Sequence, residues 1–201
     1  MGLNIRGYAD LFDPRLSGRI VLPDPNSSSS AWNHVANIMA VFGNDTPESW
    51  SVIERLMRNN MVISTSSAIA FRGVADGEYV VGLSYEDGVS PLLKGGARNI
   101  RMVYPAEGAS AFAFGSALIR GAPNRENAVL MINYLMSAEG QSRLGVDLGT
   151  LRFTNRNARY ETPWLPATDT INWAIRDMDW LIPNREQVLA QWNRLFASIS
   201  R

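Results

Sequence analysis

An α/β fold, with a mixed and mostly parallel sheet flanked by helices, follows from three observations on the 201-residue chain. Short apolar runs alternate with amphipathic stretches, a pattern that implies crossover connections between parallel strands. Two of these runs end in serine-rich loops leading directly into a helix, so a strand, polar loop and helix occur twice in succession. The run Tyr79-Val80-Val81-Gly82-Leu83-Ser84-Tyr85 is apolar almost throughout, as in strands covered on both faces.

The elements follow in order. Residues 10–18 predict a short helix or turn, broken by Pro14 and closed by Gly18. Arg19-Ile20-Val21-Leu22 is a buried strand that stops at Pro23-Asp24-Pro25. Ser27, Ser28, Ser29 and Ser30 then precede a helix with Trp32, Val35, Ala36, Met39 and Phe42 at helical spacing. Thr46 is the N-cap of a second helix, with Pro47 at its first position, Glu48 beside the positive end of its dipole, and Trp50, Ile53 and Met57 inward. The strand Met61–Ser64 leads through Ser64-Thr65-Ser66-Ser67 into a helix containing Ala68, Phe71 and Val74, ended by Gly77. Beyond Tyr85, Asp87 is the expected N-cap of a short helix running to Gly95-Gly96, and Ile100–Tyr104 and Phe112–Ile119 read as further strands. Asn124–Met136 predicts a helix with Ala128, Val129, Ile132, Leu135 and Met136 inward, and Ser137 caps the next one. Residues 150–166 form a polar, Arg-rich connection, and residues 184–198 an amphipathic final helix carrying Val188, Leu189, Trp192, Leu195 and Phe196. Trp164, Trp173, Trp180 and Trp192 read as packing anchors.

Composition closes several routes. The 19 basic and 19 acidic side chains cancel, which argues against nucleic acid as a partner because such binders need surplus clustered cations. Zero cysteines remove disulfides, thiolate metal sites and thiol nucleophiles, and fit either an oxidising or a reducing compartment. No apolar run approaches the roughly 18 residues a membrane span needs. The first residues, Met1-Gly2-Leu3-Asn4-Ile5-Arg6, lack the apolar core of a signal peptide, so a cytoplasmic or a trimmed chain is expected. His34 is the single histidine and points away from the Trp32, Val35 and Met39 face, so a solvated surface histidine is expected. With one histidine, no G-x-S-x-G turn and no Gly-rich phosphate loop, neither a catalytic residue, a metal site nor a cofactor is predicted.

The serine loops are the strongest local signal. The first turn of a helix presents unpaired N–H groups and a partial positive charge, to which Ser27–Ser30 and Ser64–Ser67 would add donors for an anion. The competing reading is that one serine in each loop merely caps its helix. Ser84-Tyr85-Glu86-Asp87 closes a strand with a phenol and two carboxylates, which suits an amine, a cation or a hydrated metal, and equally suits a plain polar strand terminus.

Several segments in order resemble one family. They are Tyr8-Ala9-Asp10-Leu11-Phe12-Asp13-Pro14-Arg15-Leu16-Ser17-Gly18-Arg19-Ile20 with Pro23-Asp24-Pro25, Ser28-Ser29-Ser30-Ala31, Val74-Ala75-Asp76-Gly77-Glu78-Tyr79 and Ser84-Tyr85-Glu86. Val103-Tyr104-Pro105-Ala106-Glu107-Gly108, Ile119-Arg120-Gly121-Ala122-Pro123-Asn124 with Glu126-Asn127-Ala128, Ser137-Ala138-Glu139-Gly140-Gln141 and Asn184-Arg185-Glu186 with Trp192 continue the series. Together they are similar to the substrate-binding proteins of bacterial ABC importers of the iron(III), phosphonate, sugar-phosphate and polyamine type, the type II periplasmic binding proteins.

The resemblance implies a two-lobed clamp secreted behind a signal peptide. Under it, residues 1–110 and 162–201 form the C-terminal lobe, and residues 111–161 the returning part of an incomplete N-terminal lobe. The chain would then begin where the second lobe begins, with much of the clamp absent. The resemblance makes Ser27, Ser28, Ser29, Ser30, Ser64, Thr65, Ser66 and Ser67 ligand residues, places Tyr85 and Glu86 near the hinge, and implies membrane permease subunits as partners. Ferric-iron members of the family use two adjacent tyrosines, whereas here Tyr85 is followed by Glu86. An anionic or zwitterionic solute is therefore favoured over ferric iron. The alternatives are a small serine-dependent hydrolase and a structural lobe without independent activity. A homodimer through residues 111–161 is also expected, since strand edges and apolar faces left uncovered seek partners.

Overall fold

The computed structural model describes residues 2–199. The chain divides into two compact units, Met1–Ala111 with Ala167–Arg201, and Phe112–Pro166.

In the first unit, two short 3-10 turns, Ala9–Phe12 and Pro14–Leu16, precede strand β1 (Ile20–Pro23). Helix α1 (Ser29–Phe42), helix α2 (Pro47–Arg58), strand β2 (Val62–Ser64), helix α3 (Ile69–Ala75), strand β3 (Val81–Gly82) and helix α4 (Glu86–Lys94) follow. The three strands are parallel in the order β2-β1-β3. Val21 pairs with Val62 on one side and Gly82 on the other. All four residues of β1 are buried, because α1 and α3 both pack on it. Thr46 caps α2 as expected, its Oγ1 accepting the Ser49 N–H at 3.3 Å, and of the first-loop serines it is Ser28 that caps α1, its Oγ accepting the Ala31 N–H at 3.4 Å.

The second unit contains helices α5 (Arg125–Met136) and α6 (Ala138–Leu148). Ser137 Oγ accepts the Gly140 N–H at 2.9 Å, as its cap position predicts. Residues 150–166 are irregular and fold onto α6. Asn155 N–H donates to Gln141 Oε1 at 2.7 Å, and a Cβ at Gly145 would lie 2.4 Å from that of Tyr160, so the helix must be bare there. The chain then returns to the first unit and ends in helix α7 (Met178–Ile199), which packs on α2. Leu181, Val188 and Trp192 of α7 join Leu16, Ile20, Leu22, Val35, Met39, Ile53 and Leu56 in one core.

Several expectations are corrected. The strand foreseen over Tyr79–Tyr85 is only Val81–Gly82, and α3 lies so close that its backbone occupies the space above Gly82. Ile100–Tyr104 and Phe112–Ile119 are irregular and form no ladder among the described residues. Helix α4 starts at Glu86 with Tyr85 as N-cap, not at an Asp87 cap. No residue of α5 is buried, and Met136, expected inward, is exposed. Helix α7 begins at Met178 rather than at residue 184, because Asp177 Oδ1 accepts the Trp180 N–H at 3.0 Å and supplies a cap upstream of Pro183. Trp164 and Phe196 are exposed instead of packed.

Candidate functional site

Because β1, β2 and β3 run in the same direction, the loops leaving them, 24–28, 65–68 and 83–85, emerge at one edge of the sheet. This is where parallel α/β sheets place ligands. The Asp24 N–H donates to Ser64 O at 2.8 Å and ties the first loop to the second. Asp24 also organises its own loop: Oδ1 accepts the Asn26 N–H at 2.9 Å, and its carbonyl accepts the Ser28 N–H at 2.8 Å.

The expected ligand serines have unequal surroundings. Ser28 is the α1 cap, and its hydroxyl lies 2.9 Å from that of Ser30. Ser27 and Ser29 are exposed. In the second loop Ser64 Oγ accepts the Ser66 N–H at 3.2 Å, while Thr65 and Ser66 are exposed and Ser67 is half-buried. No serine caps α3: its N-cap is Ala68, which makes no side-chain bond. Tyr85 stands edge-on to Phe71 of α3 with ring centroids 5.8 Å apart. Glu86 is the first residue of α4, not the end of a strand, and its Oε1 accepts the Tyr104 O–H at 2.5 Å.

His34 is not the solvated residue expected. It is half-buried on α1 and hydrogen-bonded to the Ser84 backbone just past β3. Desolvation pushes its pKa down to about 4 despite that bond, and the Arg176 charge adds to the depression. The native state therefore refuses a proton that the unfolded chain takes up below about pH 6.5. Stability should be full above that pH and fall as the pH drops toward 4. Urea midpoints at pH 7 and pH 5 should show this loss, and His34→Gln should flatten it. An equal loss in the variant would assign the slope to other groups.

Arg176 and Asn33 attracted no attention in the sequence. The Arg176 Nε–H donates to Ser110 Oγ at 2.7 Å, Nη1 to Asn33 Oδ1 at 2.5 Å and Nη2 to Asn33 O at 3.1 Å. The segments that carry Arg176 and Ser110 run side by side: Ala109 N–H donates to Asn172 O at 2.9 Å and Ala174 N–H to Ala109 O at 2.7 Å. Behind α1, Asn37 donates to Tyr8 Oη at 2.7 Å and Gly108 O at 3.2 Å, and burial raises the Tyr8 hydroxyl to a pKa of about 12. Ser84 Oγ, Asn37 Oδ1 and Glu107 Oε2 are buried without a hydrogen-bond partner.

Among the described residues no cluster of His, Asp and Glu is arranged to hold a metal ion, and no helix is long and apolar enough to cross a membrane. A groove of about 420 Å³ lined by Leu3, Ile5, Asp10, Phe12, Arg15 and Arg55 includes none of the three loops.

The family model described as bacterial extracellular solute-binding protein matches residues 4–170. An uncharacterized protein of Haemophilus influenzae is 29% identical over 67% of this chain and 38% of its own length. Iron uptake protein A1 of Synechocystis is 29% identical over 68% of this chain and 40% of its own. The chain thus spans about two fifths of the curated relatives it matches. The periplasmic binding protein AfuA from Actinobacillus pleuropneumoniae, solved with exogenous fructose-6-phosphate bound, superposes with a TM-score of 0.82 at 25% identity. That match covers 96% of this chain and 61% of the other.

Proposed function

The chain belongs to the bacterial extracellular solute-binding protein family, and from that premise we propose that it serves as the solute-capturing component of an ABC importer, outside the cytoplasm and opposite membrane permease subunits. The observation that carries this reading is the delivery of three strand-to-helix loops to a single edge by β1, β2 and β3. In this reading Met1–Ala111 with Ala167–Arg201 is the second lobe of a clamp, and Phe112–Pro166 the returning part of the first. The protein binds and releases without bond making. The hydrolase alternative gains no support, because the one histidine is bonded to the backbone of Ser84.

An anionic solute, of which a sugar phosphate is the leading case, suits the site better than ferric iron. The α1 N-terminus supplies donors and partial positive charge, whereas Tyr85 packs against Phe71 and has no adjacent second tyrosine. Glu86, which accepts the Tyr104 hydroxyl, is the carboxylate proposed to lie near an amino group of a zwitterionic solute. The direct test is calorimetric titration of the chain with fructose 6-phosphate. Replacing Ser28, Ser29 and Ser30 together with alanine should weaken binding by about 1–3 kcal/mol. Ser28→Ala alone should cost about 1 kcal/mol of stability through the lost cap. Unchanged affinity in the triple variant would leave the loop as a cap only, and no heat from a panel of solutes would end the solute-binding reading.

Self-association through Phe112–Pro166 belongs to the same proposal. Its support is the outward position of Phe114, Ile119, Leu130, Met131 and Val146, each more than half exposed in a unit whose helix α5 buries no residue. Light scattering at micromolar concentration should give a dimer or larger, and a monomer would remove this part of the reading.

A further inference from the structure

The three loops leave one question of chemistry open: what recognises the charge of the solute. Serine hydroxyls and helix N–H groups provide donors but no full charge. A guanidinium stands at the same edge. Asn33 is the fifth residue of α1, so it lies within about 8 Å of the helix start at 1.5 Å per residue. The Arg176 guanidinium is fixed to both the side chain and the carbonyl of Asn33, and to Ser110, by three hydrogen bonds. The neighbouring His34 is bonded to the Ser84 backbone, two residues beyond the end of β3. Consecutive residues of α1 thus bring Arg176 and Ser84 to one corner. Asn33, His34, Ser84, Ser110 and Arg176 are all half-buried, with the Ser84 hydroxyl itself beneath the surface.

A second, independent observation points to a ligand there. The Ser84 hydroxyl is buried and makes no hydrogen bond. Buried polar groups without partners are uncommon and costly, and one at a ligand edge has a use when the ligand supplies the partner. The polar tethers of Arg176 fix its geometry, and a guanidinium N–H makes a charge-assisted hydrogen bond to a phosphate or carboxylate oxygen.

We infer that Arg176, together with the Ser84 hydroxyl, is the charge-recognising element of the site and takes an oxyanion of the solute, a phosphate ester or a carboxylate, at the corner between α1 and the end of β3. This rests on the solute-binding reading and names the group that selects within it. Arg176 discriminates charged from uncharged solutes, and the serine loops add uncharged donors beside it.

Titrations with fructose 6-phosphate, gluconate and fructose test the assignment. The chain should bind one of the two anions at least tenfold more tightly than fructose, and which one separates phosphate from carboxylate. Arg176→Gln should lose that preference, with at least a tenfold weaker anion and unchanged fructose. Arg176→Lys should retain part of it. Ser84→Ala should weaken the anion several-fold with no loss of thermal stability, since it removes a hydroxyl that has no partner. That combination is foreign to a merely structural residue, and it carries the test if Arg176→Gln fails to fold. If the chain binds the anions and both Arg176→Gln and Ser84→Ala bind them equally well, this inference falls and the solute-binding reading stands. If the wild-type chain binds none of the three solutes, the reading falls as well.

Discussion

Gly82→Ala is expected to destabilise the chain by about 3 kcal/mol or more, beyond the usual range for an overpacked site. An added Cβ would lie 1.6 Å from the Ala70 carbonyl oxygen, 2.6 Å from its carbon and 3.1 Å from its Cα. All three atoms are backbone, so no side chain can swing aside and α3 would have to lift from β3. Ala70 is itself buried, so that movement opens the core. Gly77 provides the contrast: its φ is +81° and nothing stands within 4 Å, so alanine there meets only backbone strain of about 1–2 kcal/mol. Urea unfolding followed by far-UV circular dichroism measures both. A Gly82→Ala variant within about 1 kcal/mol of wild type would mean that the helix approaches the strand less closely than described.

Trp192→Ala should be nearly as damaging, at about 3–5 kcal/mol, because a truncated buried aromatic loses its transfer free energy and leaves a cavity. Trp192 is 3% exposed and sits in the core with Val188 and Leu181 of the same helix. Phe196 lies one turn further on and is 38% exposed, so Phe196→Ala should cost well under half as much. Equal losses for the two variants would mean that α7 is rotated about its axis relative to the described face.

Capping was legible in part, since a cap is a local event. Thr46 with Pro47 and Ser137 cap the helices that their spacing announces, and one serine of the first loop, Ser28, caps α1, whereas no serine caps α3 and Tyr85 stands where Asp87 was expected. What depends on a distant partner was not legible. An apolar run such as Phe112–Ile119 advertises extended backbone but cannot announce a neighbouring strand, and it has no ladder among the described residues. The close approach of α3 to Gly82, which only the fold creates, carries no signal in the run around Val81. His34 was assigned to water from the helical period of α1, yet the turn after β3 covers that flank as well. The serine loops were found from their composition. Arg176 was not, because it reaches Asn33 across 143 residues of chain and carries no local signal.

Helix α7 has a consequence for synthesis. A chain made from its N-terminus presents β1, α1 and α2 early, but the core they build stays open until residues 178–199 arrive and Leu181, Val188 and Trp192 fill it. The contact between α2 and α7 spans most of the sequence, so its loop closure is slow and late. A nascent chain therefore exposes Ile53 and its neighbours until α7 has been made, an interval in which open apolar surface is prone to misassociate. The 22 residues of α7 thus cover what β1, α1 and α2 leave bare.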